Sequence, residues 1–155
     1  EVFKEDKEST FYPFHRPNLL ISNSTLGVEL FASFSKKDHY CVLISSNCPI
    51  TKINGHFKKL AFSLKEIGVY YLETLVRLDY FEAICFLSSN RFLPSAYYPA
   101  MREIDNVTHD YVLMTRTMVP LDFSESQIAP EFNPFVREYV KQWVDLNLST
   151  VGINL

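Results

Sequence analysis

Residues 132–148, FNPFVREYVKQWVDLNL, constrain the fold more than any other stretch of the chain. Pro134 suits the first turn of a helix, where its missing N–H costs nothing, and Asn133 before it can cap the free amides. Phe135, Val136, Tyr139, Val140, Trp143 and Val144 then recur at helical spacing, while Arg137, Glu138, Lys141 and Asp145 fall mostly off that stripe. Valine lowers intrinsic helix propensity, so this segment needs a partner surface to stay folded. The spacing therefore predicts a helix over about 134–148 that docks on a sheet and carries Trp143, the sole tryptophan, into the core.

The partner surface is legible upstream. After a short apolar run at Leu19–Ile21, residues Val28–Phe34 alternate apolar and polar. Lys36-Lys37-Asp38 forms a polar turn, and Tyr40–Ile44 returns as a second strand of a hairpin. The period changes at 56–67, where Phe57, Leu60, Ala61, Leu64 and Ile67 repeat at helical spacing between Asn54, a cap candidate, and Gly68, a natural stop. Val69–Leu75 and Leu78–Leu87 read as strands, the second through the apolar run AICFL. Residues 88–106 lose periodicity and read as a long loop. Val107–Met118 reads as a last strand, and 120–130 as a linker into the final helix.

These elements predict an α+β domain: a mostly antiparallel sheet of five to six strands, with one internal helix (56–67) and one C-terminal helix (134–148) packed on it. Residues 1–10 read as a flexible charged lead-in, and 11–155 as one globular domain. The order of strands and helix resembles an OB barrel, and a sheet closed by a tryptophan-bearing helix resembles a pleckstrin-homology-type barrel. Only four glycines occur, which weighs against a tightly coiled closed barrel.

Charge and cysteine content narrow the function classes. Net charge is −3. The basic excess sits at residues 28–65, and the second half is acidic, an arrangement that a dedicated duplex binder avoids. Three cysteines, Cys41, Cys48 and Cys85, make an odd count that favours free thiols in a reducing compartment, although a Cys41–Cys48 bridge is sterically open. The expected location is intracellular, cytoplasmic or nuclear. Sequons at Asn23, Asn106 and Asn147 keep a secreted or lumenal setting open. No apolar run is long enough for a membrane span. The chain opens at Glu1 rather than Met, which suggests an excised or processed piece, a module of a larger protein.

No pattern commits the chain to catalysis. His15, His39, His56 and His109 are scattered, and Cys41 and Cys48 are too far apart for a zinc knuckle pair, so neither a metal nor another cofactor is expected. His109-Asp110 would point to opposite faces of a strand. Cys85 inside AICFL reads as a buried, inert thiol. Glu73 and Glu82, drawn on paired strands, would offer a carboxylate pair no different from any two exposed glutamates. Glycine-rich phosphate loops and nucleophile elbows are absent.

The aromatic stretches carry the leading expectation instead. Phe92, Tyr97 and Tyr98 in the 88–106 loop, with Phe11, Tyr12 and Phe14 in the proline-bounded arm FYPFHRP, offer interface-type side chains to a protein partner or a second copy. The expected function is a non-catalytic interaction or assembly domain, a structural module that could act by oligomerisation. The rival is a single-stranded nucleic-acid-binding domain that uses Lys36, Lys37, Lys58 and Lys59 among interleaved aromatics.

Overall fold

The computed structural model describes residues 15–148. Six strands form one open sheet: β1 Leu19–Asn23, β2 Val28–Ser35, β3 Tyr40–Ser46, β4 Tyr71–Arg77, β5 Leu93–Ile104 and β6 Val107–Thr117. Their spatial order is β1-β2-β3-β4-β6-β5. Every neighbouring pair is antiparallel except β3 and β4, which run parallel. A parallel pair cannot be joined by a tight turn. The connection here is a 3₁₀ turn at Ile50–Ile53 followed by helix α1, Phe57–Glu66.

Two further helices complete the fold, α2 at Phe81–Ser89 and α3 at Asn133–Leu148. Alternation along the strands sends Cys41, Leu43, Leu72, Val76, Val112 and Met114 to one face, where they meet Phe57, Ala61 and Leu64 of α1 and Phe86 and Leu87 of α2. Phe57 is the hinge pin of this core. Its ring meets Phe86 edge-on at 5.8 Å and Phe92 at 5.6 Å. The opposite face presents Tyr71, Glu73, Thr115 and Thr117, and there α3 is seated. Trp143 donates its indole N–H to the Thr117 carbonyl at 3.2 Å.

The helix expected at 56–67 and the final strand form as read, and α+β is the right class. The barrels do not form: β1 and β5 are free edges of an open sheet and do not pair with each other. The strand expected at Leu78–Leu87 is helix α2. Its apolar run has no period that separates a buried helix from a buried strand. Cys85 consequently turns outward, while Phe86 and Leu87 are buried. The strand expected at Val69–Leu75 is shifted to Tyr71–Arg77, since the amides of Val69 and Tyr70 are used to close α1 and to bond His39.

The long loop expected at 88–106 is mostly strand β5. Pro94 and Pro99 hid it, yet β5 is an edge strand with register shifts at Pro94/Ala96 and Tyr98/Arg102, where a missing N–H is tolerated. Asp105 and Asn106, both at positive φ, make the two-residue turn to β6. Asn133 is already helical rather than a cap. No residue of α3 is fully buried, so Trp143 lies partly covered over the sheet rather than in the core. The three thiols are free, so Cys41 and Cys48 are not bridged. Among the described residues, no helix is long and apolar enough to cross a membrane.

Candidate functional site

The parallel seam between β3 and β4 is short. Pairing runs from Tyr40↔Tyr71 to Leu43↔Thr74 and stops, although β3 continues to Ser46 and β4 to Arg77. Each strand keeps its antiparallel partner on the other side, β2 for β3 and β6 for β4. Beyond Leu43 and Thr74 the two strands therefore part, and their facing backbone edges are not bonded to each other. Thr74 Oγ1 donates to the Leu43 carbonyl at 3.2 Å and closes the base of this fork.

A cleft of about 800 Å³ fills the fork. Its walls come from the β3 end through the turn Ser45–Pro49, from Ile50 and Thr51 of the 3₁₀ turn, and from the β4 end through Asp79–Ala83 at the start of α2. This is a volume typical of pockets for cofactors and other small molecules. The wall on the β3 side is braced. Asn47 accepts the Glu29 amide at 2.9 Å, donates from its side chain to the Gly27 carbonyl at 3.0 Å, and gives its own backbone amide to the Glu29 carbonyl at 3.0 Å. Ser46 Oγ donates to the Cys48 carbonyl.

The other wall is more open. Phe81 is 72% exposed and Tyr80 40% exposed at the lip. The Arg77 guanidinium lies 4.0 Å over the Tyr80 ring and donates to Asp79 at 2.6 Å. That hydrogen bond holds the Asp79 carboxyl below the usual carboxylate range. Helix geometry leaves the first amides of α2, at Phe81, Glu82 and Ala83, without intrahelical acceptors at the cleft wall.

Basic side chains run from the 3₁₀ turn into the first turn of α1. Lys52, His56, Lys58 and Lys59 are all exposed there. The helix has no side-chain cap and no acidic residue in its first turn. An anion is favoured beside free amides and lysines at the start of a helix.

On the far face of the same seam, one residue before the pairing stops, stands Glu73. Its register partner is Val42, and it is only 7% exposed. Tyr40 donates its hydroxyl to Glu73 Oε1. The Tyr40 and Tyr71 rings stack beside it at 5.6 Å with 17° between planes. Burial pushes the Tyr71 phenol up to about 12, aided by the nearby Glu73 charge.

The structure disperses the residues singled out from sequence. Phe92 is a core residue, 1% exposed. Tyr97 and Tyr98 are exposed on edge strand β5. Phe11, Tyr12 and Phe14 lie outside the described residues. Lys36 and Lys37 sit in the β2–β3 turn, at the start of β3, whereas Lys58 and Lys59 open α1 beyond its end. A seven-residue strand separates the two pairs, a span of about 20 Å. Glu82 is on α2, not on a strand paired to that of Glu73. Among the described residues no three His, Cys, Asp or Glu side chains gather in a metal-binding group. Sequence reasoning named Glu73 without reason to prefer it. The one local signal was a glutamate inside an otherwise apolar strand, YLETLV.

No family model matches the sequence, and no curated protein does. Solved structures do match. The ribosomal-protein-S18-alanine N-acetyltransferase from Escherichia coli superposes with a TM-score of 0.53 at 13% identity, over 74% of this chain and 77% of that one. The fold is similar to that of GNAT acetyltransferases. A Salmonella typhimurium protein assigned to the acetyltransferases, solved with its cofactor acetyl-CoA, gives 0.50 at 12% identity, over 66% of this chain and 61% of that one. A protein assigned as a phosphinothricin N-acetyltransferase gives 0.50 at 11% identity, over 64% of this chain and 70% of that one. These neighbours overturn the expected function. A fold shared with acetyl-transferring enzymes contradicts both the non-catalytic interaction or assembly module and the single-stranded nucleic-acid binder.

Proposed function

We propose that this chain binds an acyl-coenzyme A thioester in the β3/β4 cleft and transfers the acyl group to an amine. The observation that carries this reading is the fork itself, a parallel strand pair that parts after Leu43 and Thr74 and leaves two unpaired backbone edges around a cleft. An extended, amide-containing arm can lie between such edges and bond to them as a short extra strand would. The phosphates of the carrier would face Lys52, His56, Lys58 and Lys59 at the uncapped start of α1. The exposed Phe81 and Tyr80 would cover the apolar part of the ligand at the lip.

Glu73 suits the proton transfer. As the amine nitrogen bonds to the thioester carbonyl carbon, the C–S bond breaks and coenzyme A leaves as a thiolate that takes a proton from water. The nitrogen loses a proton to the Glu73 carboxylate, which then returns it to solvent. The acceptor would reach Glu73 from the face that α3 covers only in part, opposite the cleft. Three free thiols accord with an intracellular setting for such an enzyme.

Calorimetric titration with acetyl-CoA and with S-acetylpantetheine, which lacks the phosphates of the nucleotide end, tests the site. Acetyl-CoA is expected to bind with a Kd of about 100 μM or tighter. Reversing Lys52, Lys58 and Lys59 to Glu should weaken it at least about tenfold and leave S-acetylpantetheine unchanged, because only phosphates meet those charges. Absence of binding by either thioester at millimolar concentration would overturn the reading.

A further inference from the structure

We infer that Tyr40 is a positioning residue that fixes the Glu73 carboxylate for proton transfer across the β3/β4 seam. This rests on the acyl-transfer reading above. The two residues belong to different strands. Tyr40 opens β3, and Glu73 stands two residues beyond its register partner Tyr71, so the hydroxyl reaches diagonally across the parallel pair. A diagonal contact of this kind is within reach of an aromatic side chain and not of a short one.

The geometry answers a specific difficulty. A carboxylate 7% exposed pays for lost hydration unless donors replace the water. Tyr40 supplies one such donor, and its ring is itself held by stacking on Tyr71 and by the His15 ring at 5.9 Å. Burial first, and then the bond to Glu73, push the Tyr40 phenol far above its ordinary range. Tyr40 therefore stays a donor throughout the pH range of an enzyme and is not itself the base. The titratable groups around this pair are Tyr71 on β4, Tyr139 on α3 and His15 ahead of β1, with the Cys41 thiol next to Tyr40 in sequence but on the other face of the sheet.

Removing the donor while keeping the ring isolates the effect. In Tyr40→Phe, a buried carboxylate loses the hydrogen-bond donor that orients it. The Glu73 carboxyl carbon, labelled with carbon-13 and assigned by its loss in Glu73→Gln, should then shift its resonance at a fixed neutral pH, because its hydrogen-bond donor is gone. The kcat for acetyl transfer from acetyl-CoA to a peptide with a free amino-terminal alanine should fall about fivefold, with the Kd for acetyl-CoA unchanged. Tyr97→Phe removes another tyrosine–carboxylate hydrogen bond, to Asp110 on the far side of the sheet, and should alter neither readout. An unmoved Glu73 carboxyl resonance in Tyr40→Phe would overturn the positioning role whatever the activity. A moved resonance with an unchanged kcat would overturn its link to catalysis. Wild-type protein that binds acetyl-CoA yet transfers nothing, under any pH, would defeat the acyl-transfer reading, and the positioning role with it.

Discussion

The Tyr139 hydroxyl lies 2.9 Å from Thr115 Oγ1 and ties α3 to strand β6. The helix is attached by such polar tips more than by burial, because no residue of α3 is fully covered and Phe135 remains 54% exposed. Tyr139→Phe should therefore cost about 0.5–1.5 kcal/mol. Trp143→Ala should cost about 2 kcal/mol, less than the roughly 3–5 kcal/mol of a fully buried ring. Urea unfolding of the full chain measures both, and a loss above about 4 kcal/mol for Trp143 would show that α3 is a core element after all.

The thiols should separate by reactivity. Cys41 is wholly buried, and burial pushes its thiol up to about 12. At pH 8 that leaves roughly a thousandfold less thiolate than an ordinary cysteine carries. A thiol-specific chromophore should label exposed Cys85 fast, cleft-wall Cys48 more slowly, and Cys41 only on unfolding. Saturating acetyl-CoA should protect Cys48 alone. Rapid labelling of all three in the folded protein would contradict the packing of β3.

Asp110 predicts an acid dependence. The Ala100 amide first, and then the Tyr97 hydroxyl, hold its carboxyl below the usual carboxylate range. A folded value depressed in this way adds stability above the pH where an unfolded aspartate titrates, about 4, and that stability is lost as pH falls through the lower folded value. Asp110→Asn should thus lower Tm at pH 7, and the difference from wild type should shrink towards pH 2. A difference that grows in acid would show that the sign is wrong.

Legibility in the sequence followed the physics of each segment. Helix α1 was readable because Phe57, Ala61 and Leu64 alternate with lysines that water requires on the other side. Helix α2 was not, because FEAICFL is apolar nearly all round and carries no period. Strand β5 was hidden by two prolines that only its edge position excuses. The lysines could be seen as basic, but not that seven residues of β3 divide them between two ends of the sheet. Glu73 looked like any surface glutamate until burial set it apart.

By itself, the sequence determined the α+β class, the β2–β3 hairpin, helix α1 and the amphipathic segment at the end, since these depend on local period and turn chemistry. Tertiary structure decided everything that depends on pairing between distant segments. It made β3 and β4 parallel, parted them after Leu43 and Thr74, and brought Tyr40 to Glu73 across a gap of 33 positions. It also gave the closing helix a lighter attachment than its stripe implied. A periodic pattern shows which face of an element is apolar; how completely another element covers that face depends on contacts that no local pattern contains.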